Sequence, residues 1–176
     1  AATLAKDQIT DYVIVYADRE KEAAEELKEH LEIITGAIFP LIREETASAI
    51  AGPAFYVGNT RILKSLGIDP EKFLAEEWYV KTAGNDILIA GGKACGTLYG
   101  VYELLEKEFG CRWLAYDTRV IPQRAVLELT AVELSGVPSF TRRQMSDDLY
   151  FCQTRGKEVY QQNLKFHKRI RSSIEE

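Results

Sequence analysis

The residues of this 176-residue chain whose types could do chemistry are few: the adjacent carboxylates Asp147-Asp148, two histidines, three cysteines and the turn Gly91-Gly92-Lys93. Glycosidic hydrolysis needs two carboxyls facing each other across a bond, about 5–5.5 Å apart for retention and roughly 6.5–9.5 Å for inversion. Neighbouring residues of a strand point to opposite faces, so Asp147 and Asp148 do not make that pair. His30 lies between Glu29 and Glu32 with no second histidine in helical reach, and the only other histidine is His167. No H-E-x-x-H is present, and His30 reads as a surface residue. Cys95, Cys111 and Cys152 show no CxxC spacing, which favours buried thiols over a zinc site. Gly91-Gly92-Lys93 lacks both the G-x-x-x-x-G-K-[ST] and the G-x-G-x-x-G frames, so it does not mark a nucleotide loop. The expectation is no metal, no cofactor and no catalysis by this chain alone.

The elements that hold these residues are organised around 85–110. Ile87 to Ala90 is an unbroken apolar run, as in a strand covered on both faces. Leu98, Val101, Tyr102 and Leu105 then fall at i, i+3, i+4 and i+7, one face of a helix. Thr97, Tyr99 and Leu104 lie off that face and charge begins only at Glu103, so the helix must be buried on most sides. Gly96 and Gly100, each costing roughly 0.5–1 kcal/mol against alanine, share one side where a second backbone can approach. That backbone belongs either to the chain's own sheet or to a second domain. The second reading makes Gly96, Leu98, Tyr99, Gly100 and Tyr102 an interdomain packing surface.

Around this centre, Tyr12–Tyr16 reads as the first strand, with Asp18 as the cap of a helix whose stripe is Ala23/Ala24, Leu27, Leu31 and Ile34. Gly36 ends it. Phe39–Ile42 is a peripheral strand and Pro53–Gly58 a third, followed by the cap Asn59-Thr60 and a short helix. Trp78–Thr82 and Ile87–Ala90 flank Gly84-Asn85-Asp86 as an antiparallel hairpin. Cys111–Tyr116 and Ala125–Leu129 are further strands. The fold class is α+β: a mixed sheet with helices mainly on one side, since the hairpin rules out a purely parallel design. Gly136-Val137-Pro138 is a boundary between residues 1–137 and 138–176. Beyond it, 139–146 reads as extended and 155–174 as a helix with Tyr160, Leu164, His167 and Ile170 on its apolar-leaning face.

Apolar content of 46% and charge of 28% are ordinary for a globular protein, and no apolar run approaches the roughly 20 residues of a membrane span. Ala1 to Gln8 lacks both an initiator methionine and a signal peptide's apolar core, and reads as the start of a trimmed chain. The net charge of −5 is uneven. From Thr141 onward eight Lys/Arg face five Asp/Glu, a balance of +3 that leaves −8 on residues 1–140. An acidic body argues against nucleic acid, and the basic tail reads as a solvated helix face.

Several local patterns coincide: Glu25-Glu26-Leu27 through Ile34-Thr35-Gly36, Tyr56-Val57-Gly58-Asn59-Thr60, Ile89-Ala90-Gly91-Gly92, the run Gly96-Thr97-Leu98-Tyr99-Gly100-Val101-Tyr102-Glu103-Leu104-Leu105-Glu106, and Gly110-Cys111-Arg112-Trp113. Together they resemble the non-catalytic N-terminal domain that precedes the barrel in β-N-acetylhexosaminidases and α-glucuronidases, most of all in Bacteroidetes-type secreted proteins. The resemblance covers about residues 10 to 145. It implies a zincin-like layout without a metal centre and a periplasmic or extracellular location. It also implies a C-terminal (β/α) barrel of the same protein as the partner, with glycan met through that barrel. Pro138-Ser139-Phe140-Thr141-Arg142-Arg143 and Asp147 resemble the opening of the barrel, and the matching arginine, Arg143, then faces sugar hydroxyls. A guanidinium fork suits vicinal hydroxyls or a uronate carboxylate. Gln144 stands where the family has a small residue, and no second arginine follows Asp147-Asp148-Leu149-Tyr150, which leaves N-acetylhexosamine specificity open. The alternative is an autonomous carbohydrate-binding module, which needs an exposed aromatic platform. Trp78 and Trp113, in apolar patterns, read as core instead.

Overall fold

The structure of the protein is a computed structural model, described here at residues 1–47, 49–93, 95–139, 143 and 157–172. The chain begins with β1 (Ala2–Lys6), turns through Asp7 and Gln8, and enters β2 (Val13–Tyr16), whose β-branched and aromatic residues suit a pleated, covered strand. A 3-10 turn over Asp18–Glu20 leads into α1 (Lys21–Thr35). Asp18 does not cap that helix: its carboxylate pairs with Arg43 at 2.6 Å, and the residue before α1 is Glu20. The stripe Ala23, Ala24, Leu27, Leu31 and Ile34 is buried, and Gly36, at φ 72°, ends the helix by donating its N–H to the Glu32 carbonyl at 2.8 Å.

β3 (Leu41–Arg43) follows at the sheet edge, then β4 (Ala54–Val57) and the short α2 (Arg61–Ser65). β5 (Trp78–Ala83) and β6 (Asp86–Gly91) form the hairpin, with Ala83 opposite Asp86 and Gly84 at φ 64° in the turn. After α3 (Gly96–Lys107) come a ribbon of β7 (Arg112–Ala115) and β8 (Thr118–Val120), then β9 (Val126–Leu129), β10 (Glu133–Gly136) and α4 (Lys157–Arg169). The sheet is six-stranded in the order β10-β5-β6-β4-β2-β3. β6, β4, β2 and β3 are parallel, and β5 is antiparallel to both β6 and β10. β1 pairs with β9 in a separate ribbon. This is an α+β protein with a mixed sheet, and no closed barrel occurs among the described residues.

The two faces of the sheet carry unequal loads. Ile14, Phe55, Val57, Val80, Ile87 and Ile89 meet α1 and α3 in the main core. Leu88 and Ala90, one residue out of phase, pack with Leu63 of α2 on the opposite face. The connection from β2 runs through α1 to β3 on one side of β2, whereas β4 continues to β6 on the other. The direction of travel across the sheet therefore reverses between β2 and β4.

Three strands were not legible in the sequence: β1, β8 and β10. The expected extended stretch 139–146, with Phe140, Asp147 and Asp148, lies outside the described residues, as does Cys152. In α4 the buried face is Asn163, Phe166 and His167 with Arg169, rotated from the expected line through Tyr160 and Leu164. Phe166 is the larger apolar group and takes the inward position.

Candidate functional site: an arginine–carboxylate seam

Helix α3 is covered from two directions. Its glycine side faces the chain's own sheet. A Cβ on Gly96 would collide with the Glu77 carbonyl oxygen and the backbone of Gly91, and one on Gly100 would lie 3.2 Å from Ile89 Cγ2 and 3.6 Å from both Trp78 Cβ and Val80 Cγ2. The close approach marked by Gly96 and Gly100 is therefore made by β5 and β6, not by a second domain. Leu98, Val101, Leu104 and Leu105 are buried in the same core. At about 1.5–3 kcal/mol for each fully buried side chain, their burial outweighs the two helical glycines.

Tyr99 and Tyr102 point elsewhere, to carboxylates. The Tyr102 hydroxyl donates to Glu26 Oε2 of α1 at 3.2 Å, and its ring meets Trp113 edge-on at 5.3 Å. The Tyr99 hydroxyl donates to Glu76 Oε1 at 3.2 Å. Burial pushes the Tyr102 phenol well above its usual range, and burial, with negative charge nearby, pushes Tyr99 up to about 12. Both phenols remain protonated donors at neutral pH.

The C-terminal segment closes over these carboxylates with its cations. Arg169 donates through Nε and Nη2 to Glu26 Oε2 at 3.1 and 3.0 Å and through Nη2 to Oε1 at 3.2 Å; Lys165 Nζ lies 3.6 Å from Oε1. Arg171 reaches Glu103 at 2.7 Å and Glu106 at 2.8 Å on α3, and Lys168 reaches Glu22 at 2.6 Å. Arg143 donates through Nη2 to both oxygens of Glu76 at 3.1 Å and through Nε to the Arg171 carbonyl at 2.6 Å, with its guanidinium carbon 6.0 Å from the Tyr99 ring centroid. Ser172 Oγ donates to the Arg143 carbonyl at 2.6 Å. The basic tail, expected to be a solvated face, is thus the counter-charge of the acidic body. The outer side of α3 is closed by α1 and by residues 143 and 157–172, which lie beyond the expected boundary at Pro138.

Beneath the seam His30 is fully buried, which corrects the surface reading. It lies three residues after Leu27 and four before Ile34, in line with the stripe, and that register was the available signal. Its Nδ1 is 2.8 Å from the Glu26 carbonyl, and the Trp113 indole N–H donates to its Nε2 at 3.3 Å. A carbonyl must receive a proton and an indole must give one, so the ring is neutral with its proton on Nδ1. Burial also draws its pKa down.

Glu76 adopts φ 65°, a left-handed conformation uncommon for a residue with a side chain, and its N–H bonds the Lys93 carbonyl at 3.3 Å. From there its carboxylate reaches Tyr99 and Arg143 together. Each carboxylate of the seam is engaged by a guanidinium or an ammonium, an arrangement that fastens elements together. Sequence reasoning missed Glu26, Glu76, Arg169 and Arg171 because their partners lie 67 to 143 positions away. Trp113 is buried, and Trp78 is half-buried with its indole beneath Gly136. Among the described residues no group of three His, Cys, Asp or Glu is placed to hold a metal, and no helix is long and apolar enough to cross a membrane.

This architecture recurs among solved structures. The chain has the fold of part of a glycoside hydrolase. A family GH115 4-O-methyl-α-glucuronidase with specificity for decorated arabinogalactans superposes with a TM-score of 0.65 over 98% of this chain, at 14% identity. The chain spans 25% of that enzyme's length. A GH138 enzyme targeting pectin rhamnogalacturonan II (TM-score 0.41, 15% identity, 76% of this chain and 12% of that one) and a mutant Streptomyces plicatus β-hexosaminidase in complex with its product GlcNAc (0.39, 19%, 60% and 18%) are also similar. No protein-family profile matches the chain, and no curated protein matches it in sequence.

Proposed function

We propose that this chain is the non-catalytic accessory domain of a glycoside hydrolase, with residues 1–137 as a zincin-like domain lacking a metal centre and 138–176 as the first strand and helix of a (β/α) barrel. The observation that carries this reading is the shared fold: nearly the whole chain matches one quarter of an α-glucuronidase. The seam supports it physically. Five cations of the segment after the boundary, Arg143, Lys165, Lys168, Arg169 and Arg171, pair with carboxylates of α1, α3 and Glu76. In this reading α3, through Tyr99 and Tyr102, is the platform on which the barrel's opening is seated, and the barrel itself meets the glycan. The protein works in the periplasm or outside the cell.

Arg143 is the residue of this segment that faces sugar in the assembled protein. In the present arrangement its Nη2 holds the Glu76 carboxylate, the same chemical group that a uronate would offer. Purified chain incubated with chromogenic α-glucuronides, β-N-acetylhexosaminides and related glycosides is expected to release no chromophore above buffer, and calorimetric titration with the free sugars is expected to show no tight binding. Turnover overturns the accessory reading, and tight saccharide binding by the isolated chain favours a binding module in its place.

A further inference from the structure

Away from the seam, a cleft of about 800 Å3 opens at the carboxyl ends of β2, β4 and β6. It lies where the chain's travel across the sheet reverses, between the loop leaving β2 for one side and the loop leaving β4 for the other. Open sheets bind small ligands at that position because two diverging connections leave a crevice between them. Four cations line it from three separate connections: Arg19 after β2, Arg61 and Lys64 on α2, and Lys93 after β6. Among the described residues none of these four side chains has a hydrogen bond or an ion pair.

The acids around the cleft are differently placed. Asp18 and Glu45 both bind Arg43, at 2.6 and 2.7 Å. Glu44 accepts the Arg61 backbone N–H at 2.8 Å, and Glu20 accepts the Thr97 hydroxyl at 3.0 Å. Glu71 is the remaining lining acid. The hydrogen bonds to Glu44 and Glu20 come from neutral donors and leave their charge in place, so with Arg43 included the two signs balance around the cleft; what the four cations share is that none is paired with a carboxylate. At the head of β4, Asn59 Oδ1 and Thr60 Oγ1 are buried without a hydrogen-bond partner among the described residues, and Thr60 is wholly buried. Buried polar atoms are nearly always paired, so two neighbouring orphans beside a cleft are ready for a partner. Gly91 and Gly92 do not supply a phosphate cradle: the Gly92 N–H donates to the Glu77 carbonyl at 2.8 Å, and Gly91 packs against the backbone of Gly96. Recognition falls to side chains, and none of those lining the cleft is aromatic, which disfavours a neutral sugar stacked on a ring.

We infer that this cleft binds a small ligand carrying two or more oxyanion groups, phosphate or carboxylate, with Arg19, Arg61, Lys64 and Lys93 as its charge partners and Asn59 in its lining. The site is separate from the seam and stands whether or not the accessory-domain reading does. The test is calorimetric titration of the 176-residue chain at low ionic strength with sodium pyrophosphate, sodium citrate and, as the neutral probe, cellobiose. Saturable binding of at least one anion and none of cellobiose is expected, and the tighter anion names the group as phosphate or carboxylate. The double variant Arg61→Gln/Lys64→Gln and the single variant Lys93→Gln each raise Kd by about tenfold or more, with an unchanged thermal midpoint; these side chains are exposed, and if the double variant fails to fold the single one carries the test. Absence of saturable anion binding, equal binding of cellobiose, or anion binding that the folded variants leave intact overturns the proposal.

Discussion

Arg169 lays its guanidinium against the carboxylate of Glu26 across 143 positions of sequence, and both side chains are almost completely buried. Tyr102 and Lys165 share the same carboxylate. A buried charge is tolerable only where its partner is held in good geometry, and the pair counts for more when broken than when absent.

Removing Arg169 alone therefore leaves Glu26 buried with only a phenol and a partly exposed ammonium. Arg169→Ala is expected to lower the unfolding free energy by about 3 kcal/mol, read by urea denaturation. Replacing both partners with apolar residues, Glu26→Leu with Arg169→Met, is expected to recover most of that loss. A double variant as unstable as the single one would show that the pair does more than satisfy itself.

His30 couples stability to pH. Burial lowers its pKa in the folded protein from the ordinary 6.5. Above 6.5 the ring is neutral in both folded and unfolded chains and contributes no slope. As pH falls through 6.5 the unfolded chain takes up a proton that the folded chain refuses, so stability declines until the lower folded pKa is reached and then levels off. The thermal midpoint is expected to fall on that acid side, and His30→Gln to flatten this part of the profile relative to wild type. The intrinsic fluorescence of Trp113, whose indole N–H is spent on His30 Nε2, offers a second readout of the same protonation.

The two helical glycines should not respond alike. Gly96→Ala puts a methyl into the backbone of Glu77 and Gly91, which cannot move aside, and is expected to cost about 1–3 kcal/mol or more. Gly100→Ala meets side-chain carbons of Ile89, Val80 and Trp78 at 3.2–3.6 Å and gains helix propensity of about 0.8–1.0 kcal/mol, so its net change is expected to be small. Comparing the two denaturation midpoints checks this. Equal losses would mean that the α3–sheet contact is not the one described.

Cys111 is buried, and burial pushes its thiol up to about 11. The thiolate is the reactive form, so in a Cys95→Ser/Cys152→Ser background Cys111 is expected to resist a disulfide reagent at mildly alkaline pH and to react at once in denaturant. Fast labelling of the folded variant would show that the segment around β7 opens readily.

What could be read without coordinates was whatever is decided between near neighbours. The α1 stripe and its end at Gly36, the Gly84 turn of the hairpin, and the edge position of β3 after Pro40 follow from periodicity and backbone freedom within a few residues. The near-complete apolarity of α3 announced burial on several sides, and that is how the helix stands. β10 escaped notice because Glu-Leu-Ser-Gly has little strand character of its own; it is extended because the edge of β5 offers it a ladder. β1 likewise exists by pairing with β9, more than a hundred positions away.

The seam and the cleft belong to the second kind of knowledge. Acidic body and basic tail were visible as sums of charge, but a sum does not say which carboxylate meets which guanidinium. Only the packing of α4 against α3 and β7 turned that balance into Glu26–Arg169 and Glu103–Arg171, and only the order of strands placed Arg19, Arg61, Lys64 and Lys93 around one crevice. The physical reason is range. Helical and turn preferences act over about four residues, whereas charge pairing and crevice formation depend on distances that exist only after the chain has folded.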